Sequence, residues 1–212
     1  MAITRSVLTM SVLPGREAAY IDWLRGCPAL LGPIYARTGV REKVVLISGQ
    51  DLVVHYEADR PESVMEAFAD PIAVAEMGGP LSTLLDSAVP PGFYSSELAW
   101  DGNSPDAQTH CALKLSIKPG QEESYLHWVH HGAVPQFEAL WKRFGLARKE
   151  VLVSGRALVA FYRCIDSASV LATFGEPESI AAMSSNLGPL LEIDATKPMQ
   201  VFEQVFVWRA GD

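Results

Sequence analysis

Apolar residues interspersed with Thr and Ser along residues 4–13, TRSVLTMSVL, predict a strand. Pro14-Gly15 turns the chain, and apolar positions then recur at helical spacing, Ala19, Trp23 and Cys27 beside Tyr20 and Leu24. Pro28, Gly32 and Pro33 are expected to end that helix and leave the next stretch irregular. From Gly39 to Asp59, GVREKVVLISGQDLVVHYEAD, two β-branched runs flank a Ser48-Gly49-Gln50 turn and predict a hairpin. Leu52, Val53 and Val54 stand together, so both faces of its second strand are expected to be covered. Residues 61–69 and 71–86 read as two helical pieces, separated at Asp70-Pro71 because the residue before a proline avoids the helical region. After the turn at Pro90-Pro91-Gly92, FYSSELAW closes the set as a strand. The order is β-α-β-β-α-β.

The pattern then repeats. At an offset of 106, GLARKEVLVSGRALVAFYRCID matches the hairpin through Gly39/Gly145, Lys43/Lys149, Ser48/Ser154, Gly49/Gly155 and Tyr56/Tyr162. At an offset of 105, LKLSIKPGQEESYLHWV matches the opening through Pro14/Pro119, Gly15/Gly120, Tyr20/Tyr125 and Trp23/Trp128. The change of offset places one extra residue in the helix-to-hairpin connection of the second copy. A duplication is the reading that fits. The expected organisation is a first ferredoxin-like repeat over residues 1–100, a polar linker over 101–108, DGNSPDAQ, and a second repeat over 109–212. The expected fold class is α+β: two ferredoxin-like βαββαβ repeats packed sheet to sheet as a pseudo-dimeric α+β barrel within one chain. Further dimerisation of that pseudo-dimer is left open.

Composition narrows the partners. Of 212 residues, 49% are hydrophobic and 20% charged, with a net charge of −8, which argues against nucleic acid and anionic membrane. No apolar run approaches the roughly 20 residues of a membrane span, and the first residues read as a strand, not a signal. Cys27, Cys111 and Cys164 are odd in number and show no Cys-x-x-Cys, which suggests reduced thiols and a cytoplasmic protein.

The hairpin, the Pro71-Ile72 turn and the leucine-bearing helix after it resemble the small polyketide cyclases of the tetracenomycin (TcmI) type. They are also similar to the SchA/CurD-like proteins of aromatic polyketide and spore-pigment pathways, members of the dimeric α+β barrel superfamily. The resemblance implies cyclisation of a poly-β-ketone by intramolecular aldol condensation with loss of water. It implies a cavity between the sheet and helices of each half, an aromatic polyketide substrate, and contact with a polyketide synthase. The family's third-strand histidine falls on His55, and its helix-end histidine near His130 and His131. Its basic residues fall on Arg41 and Lys43, and on Arg148 and Lys149. The copies depart from the pattern, since His55 becomes Phe161, and His127, His130 and His131 face Asp22, Arg25 and Gly26.

An aldol closure needs a base, a donor for the enolate oxygen and an acid to release water. Histidine serves the first and third near neutral pH, and Arg or Lys the second. His55 sits in an apolar strand and reads either as a catalytic group or as a core histidine held by a neighbour. His127, His130 and His131 share one helical face, and read as an acid/base or substrate-contact cluster, a metal site, or a polar helix end. His-x-x-His-His alone is weak evidence for metal, so neither metal nor cofactor is expected. Arg41 and Arg148 are candidate grips for an anionic oxygen, while all four basic hairpin residues, Lys43 and Lys149 included, also read as solvated edge charges. Trp23, Tyr56, Trp128, Phe161 and Tyr162 supply an apolar lining for a substrate pocket. A cofactor-independent monooxygenase acting on a phenolic polyketide is the alternative enzyme, and a non-catalytic binding or assembly protein of a biosynthetic complex the alternative outside catalysis.

Overall fold

The computed structural model describes residues 3–193 and 199–211. The first repeat forms β1 (Thr4–Ser11), α1 (Glu17–Thr38), β2 (Val40–Ser48), β3 (Asp51–Ala58), α2 (Ser63–Ala69), α3 (Pro71–Leu84) and β4 (Gly92–Asp101). The second forms β5 (Thr109–Ser116), α4 (Glu122–His131), α5 (Ala133–Arg143), β6 (Arg148–Ser154), β7 (Ala157–Cys164), α6 (Ser167–Gly175), α7 (Pro177–Ala182), a π-helical turn (Met183–Leu187) and β8 (Val201–Arg209). Hydrogen bonds order the strands β1-β3-β2-β8-β5-β7-β6-β4 in a closed barrel, so the α+β class of paired ferredoxin-like repeats holds.

Contacts divide the chain into two compact units, Met1–Phe93 with Gln204–Asp212, and Tyr94–Glu203. These units are not the sequence repeats. Nearly all of β4 lies in the second unit, where it pairs with β6. Most of β8 lies in the first, where Ala210 donates its N–H to Arg41 and Arg209 pairs with Glu42 at 2.7 Å.

In the first unit the hairpin forms as its pattern predicts, with Ser48 opposite Asp51 and Gly49 at a positive φ of 59°. β3 is buried on both faces from Leu52 to Ala58, as its apolar run requires. The helix before it is a correction. Pro28 and Pro33 do not end α1, which runs unbroken through both. An interior proline costs about 3 kcal/mol of helix propensity. Cys27, Leu31, Ile34 and Tyr35 lie buried along one stripe of that same stretch, and burying side chains of this kind is worth roughly 1.5–3 kcal/mol each. Packing outweighs propensity here.

In the second unit the equivalent stretch is two helices, α4 and α5, parted at Gly132. The buried stripe Phe137, Leu140 and Trp141 of α5 stands at the 106 offset from Leu31, Ile34 and Tyr35. The helix break thus lies in the stretch where the repeat gains its extra residue.

Gly39 caps α1 in the left-handed conformation, at φ 85°. A Cβ there would stand 3.1 Å from an Asp59 carboxylate oxygen as well as suffering the left-handed strain. Gly39→Ala is therefore expected to cost about 1–2 kcal/mol, seen as a melting temperature lower by a few degrees.

Candidate functional site

Strand alternation decides what each unit offers to the space under its helices. On β2, Val45 and Ile47 pack into the helix-side core with Val54 and Tyr56 of β3. Lys43 shares their parity and lies directly across from Tyr56. On β6, Lys149 shares the parity of Val151 and Val153 and lies across from Tyr162. The two lysines, expected as solvated edge charges, instead point under the helices. This is the largest departure from the sequence reading.

In the first unit, Lys43 is buried, and its Nζ donates to Tyr35 Oη at 3.1 Å. The Tyr35 and Tyr56 rings lie 5.5 and 5.9 Å from the amine. Burial alone lowers the proton affinity of this amine, and Tyr35, Tyr20 and Cys27 together raise it by more, so its pKa stands above the ordinary lysine value. The hollow beside it, between Met10, Trp23, Phe68, Met77 and Leu81, has a free core of about 30 Å³, room for one or two waters, so a ring enters only by displacing lining side chains.

In the second unit, Lys149 has no such oxygen. The position of Tyr35 is Trp141, whose ring lies 4.6 Å from the amine, with Tyr162 at 5.4 Å and Phe137 at 5.9 Å. An indole offers a π-face and an N–H donor, but no acceptor. The side chain is partly open to the cavity, while the amine itself is deep enough that burial brings its pKa down from 10.5 to about 8. Ring faces recover only part of the lost hydration of an ammonium. Two adjoining hollows with free cores of about 30 and 50 Å³ meet at Lys149, Tyr162, Phe174 and Leu187. The larger has a free core of about 50 Å³, room for a few waters, so a ring-sized ligand must displace lining side chains such as Phe174, Leu187 and Met199. Burial pushes the Tyr162 and Tyr125 phenols well above the usual range, so both stay protonated donors.

The residues singled out in the sequence fall into two sets. Trp23 and Tyr56 line the first hollow, and Trp128 and Tyr162 the second. His55 is fully buried, opposite Val7 and Val44, on the face of β3 away from Tyr56 and the helices. Phe161, at the equivalent place, also faces away from the helices and stacks on His110 at 5.4 Å. Arg148 alternates with Lys149 onto that face, where it pairs with Asp101 at 2.8 Å and Glu150 at 3.6 Å. Arg41 is exposed beside a bulge and pairs with Asp59. His127, His130 and His131 lie on the exposed side of α4, whose buried residues are Tyr125 and Val129. The rings of His127 and His131 stack at 4.5 Å, and His130 reaches Glu97 at 3.4 Å. None of these histidines lines either hollow. Among the described residues no three His, Cys, Asp or Glu side chains are gathered to hold a metal ion. Cys111 and Cys164 are free thiols with their sulfurs 3.8 Å apart. No helix among the described residues is long and apolar enough to cross a membrane.

Against known proteins the chain matches solved structures alone. A putative monooxygenase from Fusobacterium nucleatum superposes with a TM-score of 0.66 at 9% identity, over 99% of this chain and 95% of that one. A putative monooxygenase from Lactobacillus acidophilus gives 0.63 at 10% identity, over 100% and 98%. An anthrone oxidase-like protein gives 0.62 at 11% identity, over 99% and 94%. The fold is the dimeric α+β barrel. No known family profile and no curated protein matches the sequence.

Lys149 was legible in principle. Period-2 counting through RKEVLV puts it on the same face as Val151, and the hairpin register sets it against Tyr162. What hid it is the ordinary expectation that a lysine on a strand is solvated.

Proposed function

We propose that the chain is an enzyme that deprotonates an enolisable aromatic ketone or phenol in the cavity of the second unit, with Lys149 as base, and passes the resulting carbanion to molecular oxygen. The observation that carries the reading is the Lys149 amine, held without a counter-charge among Trp141, Tyr162 and Phe137, with a pKa brought down to about 8. A base poised near the working pH is what abstraction of an activated proton asks for. The neutral amine takes a proton from an activated methylene between aryl or carbonyl groups. The ammonium so formed rests on the ring faces and pairs with the enolate, whose oxygen Tyr162 can also receive. Electrons then pass from the carbanion to oxygen. In balance, the methylene and O2 become a ketone and water, one oxygen atom entering the product and the other leaving with the two hydrogens. The substrate is its own reductant.

The three superposed proteins are described as monooxygenases or anthrone oxidase-like, which supports this reading at the level of fold. Aldol cyclisation with dehydration, the reaction implied by the resemblance of the hairpin to the TcmI-type and SchA/CurD-like proteins, begins with the same deprotonation. It asks in addition for an acid at the departing hydroxyl. The sparse polar lining around Lys149 suits the oxygenase better.

The test is turnover of an anthrone-type phenol with oxygen uptake and product mass followed together. Uptake of one O2 per turnover, with a product gaining one oxygen and losing two hydrogens, is the expected outcome. Loss of water from a reactive poly-β-ketone without oxygen uptake assigns the chain to cyclisation. No turnover of either, with tight binding to a synthase, assigns it to assembly.

A further inference from the structure

The first unit contains a second hollow of different chemistry. Lys43 is 4% exposed, and its one polar contact among the described residues is Tyr35 Oη. An ammonium carries three donors, so two are left to aromatic faces and to the hollow. A buried charge with no counter-charge is costly, and proteins ordinarily neutralise or pair it. The second unit neutralises: Trp141 replaces Tyr35 and the amine gives up its proton more readily. The first unit keeps the charge instead, by means of the Tyr35 oxygen. It does so beside a hollow walled by Trp23 and Phe68, with the flexible thioethers of Met10 and Met77 at its border. A retained cation facing an aromatic hollow is half of a recognition site for an aromatic anion.

We propose that the Lys43 hollow is a ligand site distinct from the Lys149 cavity, taking a single-ring aromatic anion, a phenolate or aryl carboxylate, with its oxygen on the Lys43 amine. The ring would lie between Trp23 and Phe68, displacing Met10 and Met77. Charge pairing supplies selectivity for the anion over a neutral ring of the same size, because the neutral ring leaves the ammonium uncompensated.

Calorimetric titration of the full chain tests this without any turnover. The probes are 4-nitrophenolate and benzoate, with 4-nitroanisole and benzamide as their neutral counterparts. In a Lys149→Met protein, which removes the amine of the other cavity, one equivalent of phenolate or carboxylate is expected to bind. The neutral counterparts are expected to bind about tenfold more weakly or worse, and adding Lys43→Met to weaken the anions by a similar factor. Equal binding of the anion and its neutral counterpart overturns the proposal. So does undiminished anion binding after Lys43→Met, or the absence of binding in Lys149→Met. If Lys43→Met does not fold, the comparison of anion with neutral ring on the Lys149→Met protein still decides. A preference for phenolate alone or carboxylate alone identifies which oxygen the site is shaped for.

Discussion

Lys149→Met is expected to lower kcat/KM by roughly 10²–10⁴-fold while leaving the protein folded. The amine is the polar group in the hollow whose pKa falls near neutrality, and methionine keeps its length and fills its space. The pH profile carries the same signature. With a pKa of about 8, Lys149 is protonated and inactive as a base at lower pH, so kcat/KM of the parent protein should rise with pH and level off above about 8. Trp141→Tyr is a sharper companion. It restores the acceptor that the first unit has in Tyr35, so the ascending limb should move to higher pH, whereas loss by misfolding would lower the plateau without moving the limb. In Lys149→Met stability should change in the opposite sense to activity. A lysine whose folded pKa lies below its unfolded value destabilises the fold wherever it must carry its charge. That penalty is full below about 8 and is relieved as pH rises toward 10.5. At pH 7, Lys149→Met should therefore stabilise by up to about 3 kcal/mol, measured by denaturant melts. His131→Ala is the contrasting variant. If it abolishes turnover and Lys149→Met does not, the site lies on the exposed face of α4 and not in the cavity.

Tyr35→Phe is expected to destabilise the chain by about 2 kcal/mol, a melting temperature lower by roughly 4–8 °C. The phenol is the hydrogen-bond acceptor of the buried Lys43 ammonium, and phenylalanine keeps the ring while removing that oxygen. With the oxygen gone, the largest of the groups opposing burial is lost, leaving Tyr20 and Cys27, and the Lys43 amine should titrate lower. The pH dependence then reverses. In the parent protein the raised pKa contributes stability that is present below the ordinary lysine value and lost as pH climbs through the raised one. In Tyr35→Phe, stability should instead increase as pH rises through the lowered value. Lys43→Met in the same background removes the orphaned charge and should recover much of the loss. The double-mutant cycle measures the pair by its departure from additivity.

Both predictions rest on one difference between two copies of the same design. The duplication was legible from residues that packing holds constant: the glycines at left-handed turns, the apolar parity of the hairpin strands, and the helix-borne Tyr20/Tyr125 and Trp23/Trp128 pairs. Those positions answer to local backbone geometry and to period, which a linear pattern displays directly. The course of α1 was not legible, because Pro28 and Pro33 are strong local signals that the burial of Leu31, Ile34 and Tyr35 overrules. The fate of the ionisable groups was less legible still. Three histidines on one helical face look like chemistry in a sequence, yet that face is exposed on α4. His55 stands in an apolar strand beside Tyr56, yet alternation sends the two side chains to opposite faces.

By itself, then, the chain determined that there are two β-α-β-β-α-β copies, that their hairpins are alike, and that their polar residues have diverged. Only the tertiary structure decided which polar residues matter to the hollows. Burial and partner choice, not residue type, control a lysine's charge. Tyr35 helps one copy hold its proton in a dry place, and burial without such an oxygen makes the other copy ready to give it up.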